Sequence, residues 1–151
     1  MNRGFTVIEL LLSVAIIAVI SAIGISAMSP VNTDKALITE TEKVLSLIVK
    51  ARSQTLAAKE SSVYGVHFEE RKAVLFKGST YSVGAAGNQM QTLHDEVKIS
   101  ALALTGGGFE IVFSKLTGAT TQSGTVTLTT LRDAGTTKVI TITSTGAAYS
   151  N

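Results

Sequence analysis

Residues 5–28 read FTVIELLLSVAIIAVISAIGISAM, and this stretch decides how the rest of the chain is organised. No residue from Leu10 to Met28 is charged, and most are Leu, Ile, Val or Ala. A helix needs roughly 20 apolar residues to cross about 30 Å of hydrocarbon. The stretch therefore predicts a transmembrane helix over residues 5–28, with Glu9 as the one charge near its start.

The rest of the chain has the composition of a polar domain. Only 16% of the 151 residues are charged, and Arg3 and Glu9 are the sole charges before Pro30. Charged residues make up about 25% of a typical soluble domain. Because only two charges precede Pro30, the shortage of charged residues lies in the N-terminal segment. The net charge of +2 and the dispersed basic residues predict no nucleic-acid partner. The lack of cysteine excludes disulfides, thiolate metal sites and cysteine nucleophiles.

Three hypotheses explain the apolar segment. An ordinary secretory signal peptide needs a basic start, an apolar core and a cleavage site of small residues. Arg3 supplies the start, and Gly24-Ile25-Ser26-Ala27 supplies a cleavage site. A plain membrane anchor explains the length alone. Neither gives Glu9 a purpose, although a carboxylate in the membrane is costly and normally acquires a partner.

The third hypothesis rests on the first ten residues, MNRGFTVIEL, which resemble the start of type IV pilins and type II secretion pseudopilins. That family has a short basic leader ending in Gly, then Phe, a hydroxyl or apolar residue, two apolar residues, Glu and Leu. The resemblance implies that a prepilin peptidase removes residues 1–4 by cutting between Gly4 and Phe5. It also implies that the new Phe5 amine is methylated and that residues 5–28 stay in the mature protein.

Glu9 acquires a partner under this hypothesis. It follows Phe5 by four residues, so its carboxylate and the new Phe5 amine share one face of a helix. The family is understood to pair this glutamate with the amine of a neighbouring subunit, and the resemblance implies that Glu9 sets register during assembly. The alternative on physical grounds is a carboxylate that lies in the headgroup layer at the membrane surface.

Pro30 ends the apolar segment. A proline inside a helix removes a hydrogen bond and kinks or breaks the helix, but Ser29-Pro30 also fits a new helix start. We therefore expect a kink or a restart at Pro30. Apolar residues then recur at three- and four-residue steps, which predicts an amphipathic helix over residues 29–60 packed on a sheet. The predicted stripe is Leu37, Ile38, Thr41, Val44, Leu45, Ile48, Arg52, Thr55 and Leu56.

Beyond residue 60 the apolar pattern alternates, which predicts antiparallel strands. We expect turns at residues 69–71 and 133–135 and a loop over residues 84–91. A long helix followed by strands joined by turns predicts an α+β fold with a β-rich head over residues 61–151. The expected strands are Val63–Phe68, Ala73–Lys77, Val97–Leu104, Phe109–Ser114, Gly124–Leu131, Lys138–Thr143 and a short one near Ala147–Tyr149.

The head resembles the GspH/FimT group of minor pseudopilins and minor pilins. The resemblance implies a minor subunit that primes or caps a filament. Some members of the FimT branch bind DNA through a basic C-terminal region, but this chain has no Lys or Arg after Lys138, so we do not expect DNA binding. The matching residues are Ala51-Arg52-Ser53-Gln54, Val66-His67-Phe68, Phe113-Ser114, Gly118, segments 124–128 and 138–142, and Gly146.

Catalytic and metal-binding patterns are weak. His67 and His94 are the only histidines, and neither has a recognised metal-ligand spacing. The glycines at 106–108 lack the Lys-Ser/Thr that follows in a phosphate-binding loop. No loop of clustered carboxylates fits calcium. The sequence therefore predicts no enzyme, no metal and no cofactor.

The leading hypothesis for function is structural. The resemblance implies a single-pass protein of the bacterial inner membrane, with a periplasmic head, which enters a type II secretion pseudopilus or a type IV pilus. It also implies other subunits, prepilin peptidase, an assembly platform with its ATPase, and membrane lipid as partners. The alternative is a secreted or periplasmic ligand-binding β domain whose mature start lies near Ala27–Ser29. A third class, a membrane-tethered enzyme, needs a cluster of ionisable groups in the head.

Overall fold

The structure, a computed structural model, describes the backbone of residues 5–151 and the side chains of residues 5–21 and 33–151. The chain divides into two compact units, one ending at Thr33 and one from Asp34 to Asn151. Helix α1 is followed by eight strands, so the predicted α+β class is confirmed. The elements are α1 Val7–Leu56, β1 Tyr64–Glu69, β2 Lys72–Lys77, β3 Gln89–Thr92, β4 Val97–Leu104, β5 Glu110–Val112, β6 Gly124–Thr130, β7 Thr137–Ile142 and β8 Ala148–Ser150.

Helix α1 is one continuous helical segment, and position 30 lies inside it. The helix therefore does not restart at Pro30. The predicted kink concerns residues 22–32, whose side chains lie outside the described part of the structure, and it stays a prediction. The helix ends at Leu56, four residues before the expected end at residue 60, because Ala58, Glu60 and Ser61 have positive φ angles of 48°, 51° and 50°.

The inner face of α1 beyond Thr33 differs in part from the predicted stripe. Ile38 is 46% exposed and Glu40 only 4% exposed, the reverse of what their side chains predict. The buried positions follow one line along the helix, and Glu40 falls three residues after Leu37 on that line. Its carboxylate accepts a hydrogen bond of 2.7 Å from Lys43 Nζ. The buried residues are Leu37, Glu40, Thr41, Val44, Ile48, Ala51 and Thr55.

The strands form two antiparallel sheets of four, where the alternating pattern indicated only one. Sheet A has the order β3-β2-β1-β5, and sheet B has the order β4-β6-β7-β8. Strands β4 and β5 are consecutive in sequence but belong to different sheets. Residues 105–109 join them, and Gly106, Gly107 and Gly108 all have positive φ angles. The sheets meet where Ile99 N donates to Glu70 O at 2.9 Å.

One main core fills the unit from Asp34 to Asn151. It combines the buried line of α1 with alternate side chains of both sheets. Strand β6 illustrates the rule, since Val126 and Leu128 point inward while Thr125 and Thr127 point outward. The largest fully buried members include Phe68, Phe113, Ile111 and Ile140.

Strand β3 lies where the sequence predicted a loop over residues 84–91. Its residues Gln89–Thr92 are mostly exposed, so they carry no alternation of apolar and polar side chains. They pair with β2, for example Val74 with Met90, at the edge of sheet A. Edge strands that face solvent on both sides have no pattern from which a sequence predicts them.

Candidate functional site at the helix N-terminus

The first turns of α1 expose apolar side chains all around the helix. Phe5 is 82% exposed, and no described residue from 5 to 21 is buried. A helix that is apolar on every side needs lipid or other apolar helices around it. The exposed large apolar residues are Phe5, Val7, Ile8, Leu10, Leu11, Leu12, Val14, Ile16, Ile17, Val19 and Ile20.

Thr6 caps this helix. It lies just before Val7, the first residue of α1, and its Oγ1 accepts a hydrogen bond of 3.4 Å from Glu9 N. A capping threonine satisfies one of the free N–H groups in the first turn. The pair Thr6 and Glu9 fits the capping box, in which Ser or Thr is followed three residues later by Glu or Gln. Sequence reasoning missed this role, although Thr-Val-Ile-Glu carries the signal.

Glu9 is an exposed carboxylate in the first turn of α1. Negative charge there interacts favourably with the positive end of the helix dipole, typically by about 0.3–1 kcal/mol. The Glu9 backbone carbonyl accepts a hydrogen bond of 2.8 Å from Ser13 Oγ. Glu9 therefore has a local role in starting the helix in addition to the predicted role in assembly.

The remaining predicted site residues are only partly described. Phe5 stands one residue before the Thr6 cap, where apolar residues often pack against the fourth helical position. Gly4 lies outside the described residues, and so does the side chain of Pro30. The cleavage between Gly4 and Phe5, the methylation of Phe5 and the register role of Glu9 therefore stay predictions.

A groove of about 620 Å³ lies in the head, between the end of β1, strand β4 and the segment Gly108-Phe109. The ionisable residues that line it are paired within the chain. His67 Nδ1 lies 3.8 Å from Glu110 Oε2, Glu69 pairs with Lys72 at 3.2 Å, and Glu70 pairs with Lys98 at 3.2 Å. Among residues 5–21 and 33–151, no group of three or more His, Cys, Asp or Glu residues is placed to hold a metal ion.

The second histidine is separate from this groove. His94 is exposed in the turn between β3 and β4, and its Nδ1 accepts a hydrogen bond of 3.2 Å from Glu96 N. His94 lies in an exposed loop, and His67 lies at a half-buried position of strand β1. The structure does not bring the two into one cluster.

Arg52 joins residues that carry the resemblance to the GspH/FimT group. Its Nε donates to Gly118 O at 3.2 Å, and its second guanidinium nitrogen donates to Thr145 O at 3.4 Å. Gly146 follows Thr145 and packs on the Gly118 carbonyl so closely that an added Cβ would overlap it. These residues therefore fasten two turns of the head onto α1, a role in the fold rather than in catalysis.

Comparison with known proteins identifies the N-terminal segment. Residues 1–25 match the family model described as the prokaryotic N-terminal methylation motif. The motif supports the type IV pilin and pseudopilin family, and it indicates a structural, non-enzymatic protein. No curated protein and no solved structure matches the chain.

The fold is in keeping with the motif. An N-terminal helix followed by an antiparallel β domain is consistent with the pilin-like fold. The motif supports processing by prepilin peptidase and assembly with other pilin subunits. Within the described residues, no helix has the combination of length and apolar character needed to cross a membrane.

Proposed function

We propose that this chain is a minor pilin or pseudopilin subunit that is cut after Gly4 and assembled into a type II secretion pseudopilus or a type IV pilus. The observation that carries the proposal is the coincidence of two features. The methylation motif covers residues 1–25, and within it residues 5–21 expose apolar side chains on every side of the helix. The apolar segment is then a packing surface that is kept after cleavage.

In our proposal, residues 5–28 lie first in the membrane and then in the assembled filament. Before assembly they hold the chain in the bacterial inner membrane, with the head on the periplasmic side and Arg3 on the cytoplasmic side, as the positive-inside tendency favours. During assembly the helix leaves the lipid and packs against the same segment of neighbouring subunits. Lipid tails and Leu side chains are similarly apolar, so helix packing offsets the lost lipid contacts.

Glu9 guides this packing in our proposal. Thr6 already satisfies the Glu9 backbone N–H, and the carboxylate is exposed at the helix end. An exposed carboxylate near the N-terminus is available to the amine of a neighbouring Phe5 as subunits are added. An unpaired charge in an apolar filament core is costly, so only the register that pairs the two groups is favoured.

The head supports a minor role. Three of the residues that carry the resemblance to the GspH/FimT group, Arg52, Gly118 and Gly146, lie in contact, and the two glycines there leave no room for a side chain. A likeness that covers residues in contact is stronger support than scattered matches. We therefore propose that the subunit primes or caps a filament instead of forming its bulk.

The first test is the N-terminal residue of the mature protein. The chain is produced together with a prepilin peptidase, and its intact mass is measured. We expect a start at Phe5, with or without one added methyl group. A Gly4→Val variant places a branched side chain at the cut and is expected to keep residues 1–4, while Asn2→Ala is the matched leader variant that is still cut.

A different mature start gives the opposite conclusion. A start near Ala27–Ser29 means that an ordinary signal peptidase discards the apolar segment. The filament proposal then fails, and a secreted or periplasmic ligand-binding domain replaces it.

A further inference from the structure

Leu116 is both strained and exposed. Its side chain is 94% exposed, and its φ angle is 69°, in the left-handed region that suits glycine or asparagine better than leucine. It lies at the centre of a three-residue turn in which Thr117 N donates to Lys115 O at 2.8 Å. Such a turn with a positive φ angle is rare and strained. Because its side chain is exposed, a leucine at this position costs the fold free energy without adding to the core.

The strained backbone of the head is gathered in one place. Within residues 5–151, the residues other than glycine that have positive φ angles are Ala58, Glu60, Ser61 and Leu116. The first three lie in the turn after α1, and Lys115 Nζ donates to Ser61 O at 2.7 Å, so the two turns are in contact. Strained residues cluster at functional sites, where the surrounding structure holds them. This clustering therefore marks one end of the head as a candidate interaction surface.

The turn that carries Leu116 is held firmly on the head. Ser114 N donates to Ala119 O at 2.8 Å, and Gly118 N donates to Ser114 O at 2.9 Å. Arg52 Nε on α1 donates to the Gly118 carbonyl at 3.2 Å. A contact residue whose backbone is already fixed loses less conformational freedom when a partner binds. Leu116 is therefore an apolar contact residue that is preorganised for binding.

The surface around Leu116 is strongly basic. The contacts of its two turns place four cations and one carboxylate there, a net charge of +3, whereas the whole chain has only +2. The positive charge of the protein is therefore concentrated around this exposed leucine. We call this region the Leu116 surface. Its charged members are Arg52, Lys59, Lys115, and Lys77 with its partner Glu60, whose Oε2 lies 2.7 Å from Lys77 Nζ.

We propose that the Leu116 surface is a docking site for an acidic protein partner, which receives the Leu116 side chain in an apolar pocket bordered by carboxylates. The positive charge around Leu116 steers such a partner and sets its orientation, and burial of the leucine side chain supplies attraction. The surface belongs to the head, so the proposal does not depend on cleavage after Gly4 or on the packing of residues 5–28.

An anionic membrane surface fits these observations less well. Lipid headgroups attract clusters of about four to eight basic residues and require no defined backbone geometry. Here Lys77 is bonded to Glu60, Lys115 is bonded to Ser61 O, and a single leucine at the tip of the turn offers little apolar area to a bilayer. A strained turn that is held in place is better suited to a pocket of fixed shape.

The first test asks whether the fold needs Leu116. Asparagine tolerates the left-handed region, so Leu116→Asn relieves the strain and removes the apolar side chain together. We expect the full chain in detergent micelles to unfold at a higher urea concentration in this variant than in the wild type, since a position that serves binding is not optimised for stability. A midpoint that stays the same or falls would show that the leucine supports the fold and would overturn the proposal.

The second test identifies the partner in cells that make the protein. A photoreactive amino acid replaces Leu116 in the full chain, and Val83 is the matched position, because it is 85% exposed in the uncharged loop of residues 78–88. We expect position 116 to crosslink to one protein, at a segment that contains Asp or Glu, and position 83 not to crosslink to that protein. Crosslinking to lipid alone, or none at position 116, would overturn the proposal.

The third test titrates the purified crosslinked protein against the full chain in detergent micelles. Leu116→Asn should weaken binding at least about tenfold, as the loss of a buried leucine predicts. Lys59→Glu should weaken it about three- to tenfold at low salt and less at high salt, since it reverses a charge without changing the donors that hold the Leu116 turn.

Lys35→Glu is the matched control for charge. It makes the same reversal at an exposed position of α1, about 30 Å along the helix from Leu56, and should leave binding unchanged. Binding by Leu116→Asn or by Lys59→Glu that equals the wild type would contradict the proposed docking site, and so would an equal loss in Lys59→Glu and Lys35→Glu.

Discussion

At the residue scale, Glu9 combines two roles that substitutions separate. Glu9→Gln keeps a residue suited to the capping box but removes the charge, whereas Thr6→Val removes the cap and keeps the charge. We expect Glu9→Ala and Glu9→Gln to insert in the membrane and be cut normally but to enter filaments poorly. The measurement is the amount of each variant in sheared filament fractions relative to the membrane pool.

The Thr6→Val variant is the control for this prediction. It is expected to assemble better than Glu9→Gln, because losing a cap costs only about 1 kcal/mol. Assembly of Glu9→Gln at the wild-type level would leave helix capping as the explanation for Glu9 and remove its role in setting register.

Gly146 is expected to tolerate no side chain. Gly146→Ala places a Cβ against the Gly118 carbonyl at a φ of 79°, so we expect a loss of about 2–4 kcal/mol in the free energy of unfolding. Gly107→Ala is the matched control, because its φ is 70° but nothing lies within 4 Å of the added Cβ. Its free energy of unfolding should fall by only about 1 kcal/mol, which is the cost of placing a residue with a Cβ in the left-handed backbone region.

Urea unfolding of the full chain in detergent measures both glycine variants. Equal losses for Gly146→Ala and Gly107→Ala would show that backbone conformation alone matters and that the contact with Gly118 is not tight.

At the element scale, the turn between β6 and β7 contains a carboxyl group whose pKa is lowered by hydrogen bonds. The Thr136 hydroxyl, with help from the Gly135 N–H, holds the pKa of Asp133 below its usual range. These hydrogen bonds to Oδ2 and Oδ1 are 2.8 Å and 2.9 Å long. A carboxyl group whose pKa is lower in the folded state than in the unfolded state stabilises the fold at pH values above its unfolded-state pKa. This stabilisation disappears as the pH falls through the folded-state pKa.

We expect Asp133→Asn to remove this pH dependence. When the pH is lowered from about 7 to about 3, the urea concentration at the midpoint of unfolding should fall further for the wild type than for the variant. Thr136→Val should raise the Asp133 pKa toward the ordinary value in a carbon-13 NMR titration. An unchanged Asp133 titration in that variant would contradict the hydrogen bond as the cause.

Arg52 is the main polar link between α1 and the turns at Gly118 and Thr145. Arg52→Lys keeps the charge but cannot donate in two directions from a planar group. We expect a loss of about 1–2 kcal/mol in the free energy of unfolding. Lys50→Met is the control, because exposed Lys50 donates its hydrogen bond to Gln89 Oε1 on the edge strand and not to the turns at Gly118 and Thr145. A loss in Arg52→Lys no larger than in Lys50→Met would mean that the two hydrogen bonds contribute little.

The sequence predicts elements better where side chains alternate than where they do not. Strands β6 and β7 were predicted within one residue at each end, since Thr125 to Thr129 and Val139 to Thr143 alternate cleanly. Strand β3 was missed because an exposed edge has no such pattern. The division into two sheets also escaped prediction, because it depends on which strands meet after folding, and local alternation is the same in either arrangement.

The candidate site shows the same limit. The predicted roles of residues 4, 5 and 9 come from a local motif, and they stay predictions, although the match over residues 1–25 supports the family. In the groove of the head, by contrast, the contact between His67 and Glu110 joins strands β1 and β5, which are distant in sequence. No spacing rule brings such residues together, so only the fold identifies them.

At the scale of the whole molecule, the two units differ in what they need from their surroundings. Among the residues whose side chains are described, the buried main core begins at Leu37, whereas the residues from Phe5 to Ile20 are exposed. We expect the fragment Asp34–Asn151 to stay folded and monomeric without detergent, as size-exclusion chromatography and circular dichroism would show. The full chain should aggregate in the same buffer. Unfolding of the fragment would mean that residues before Asp34 are needed for the fold.

The glycine loop between β4 and β5 is a place where a label for imaging can be inserted. Gly106, Gly107 and Gly108 project into open space, and none of them has a heavy atom within 4 Å of an added Cβ. Exposed loops of this kind tolerate inserted sequence. A short epitope placed after Gly107 would therefore label individual subunits along a filament for electron microscopy, and the distribution of label between tip and shaft would be visible directly.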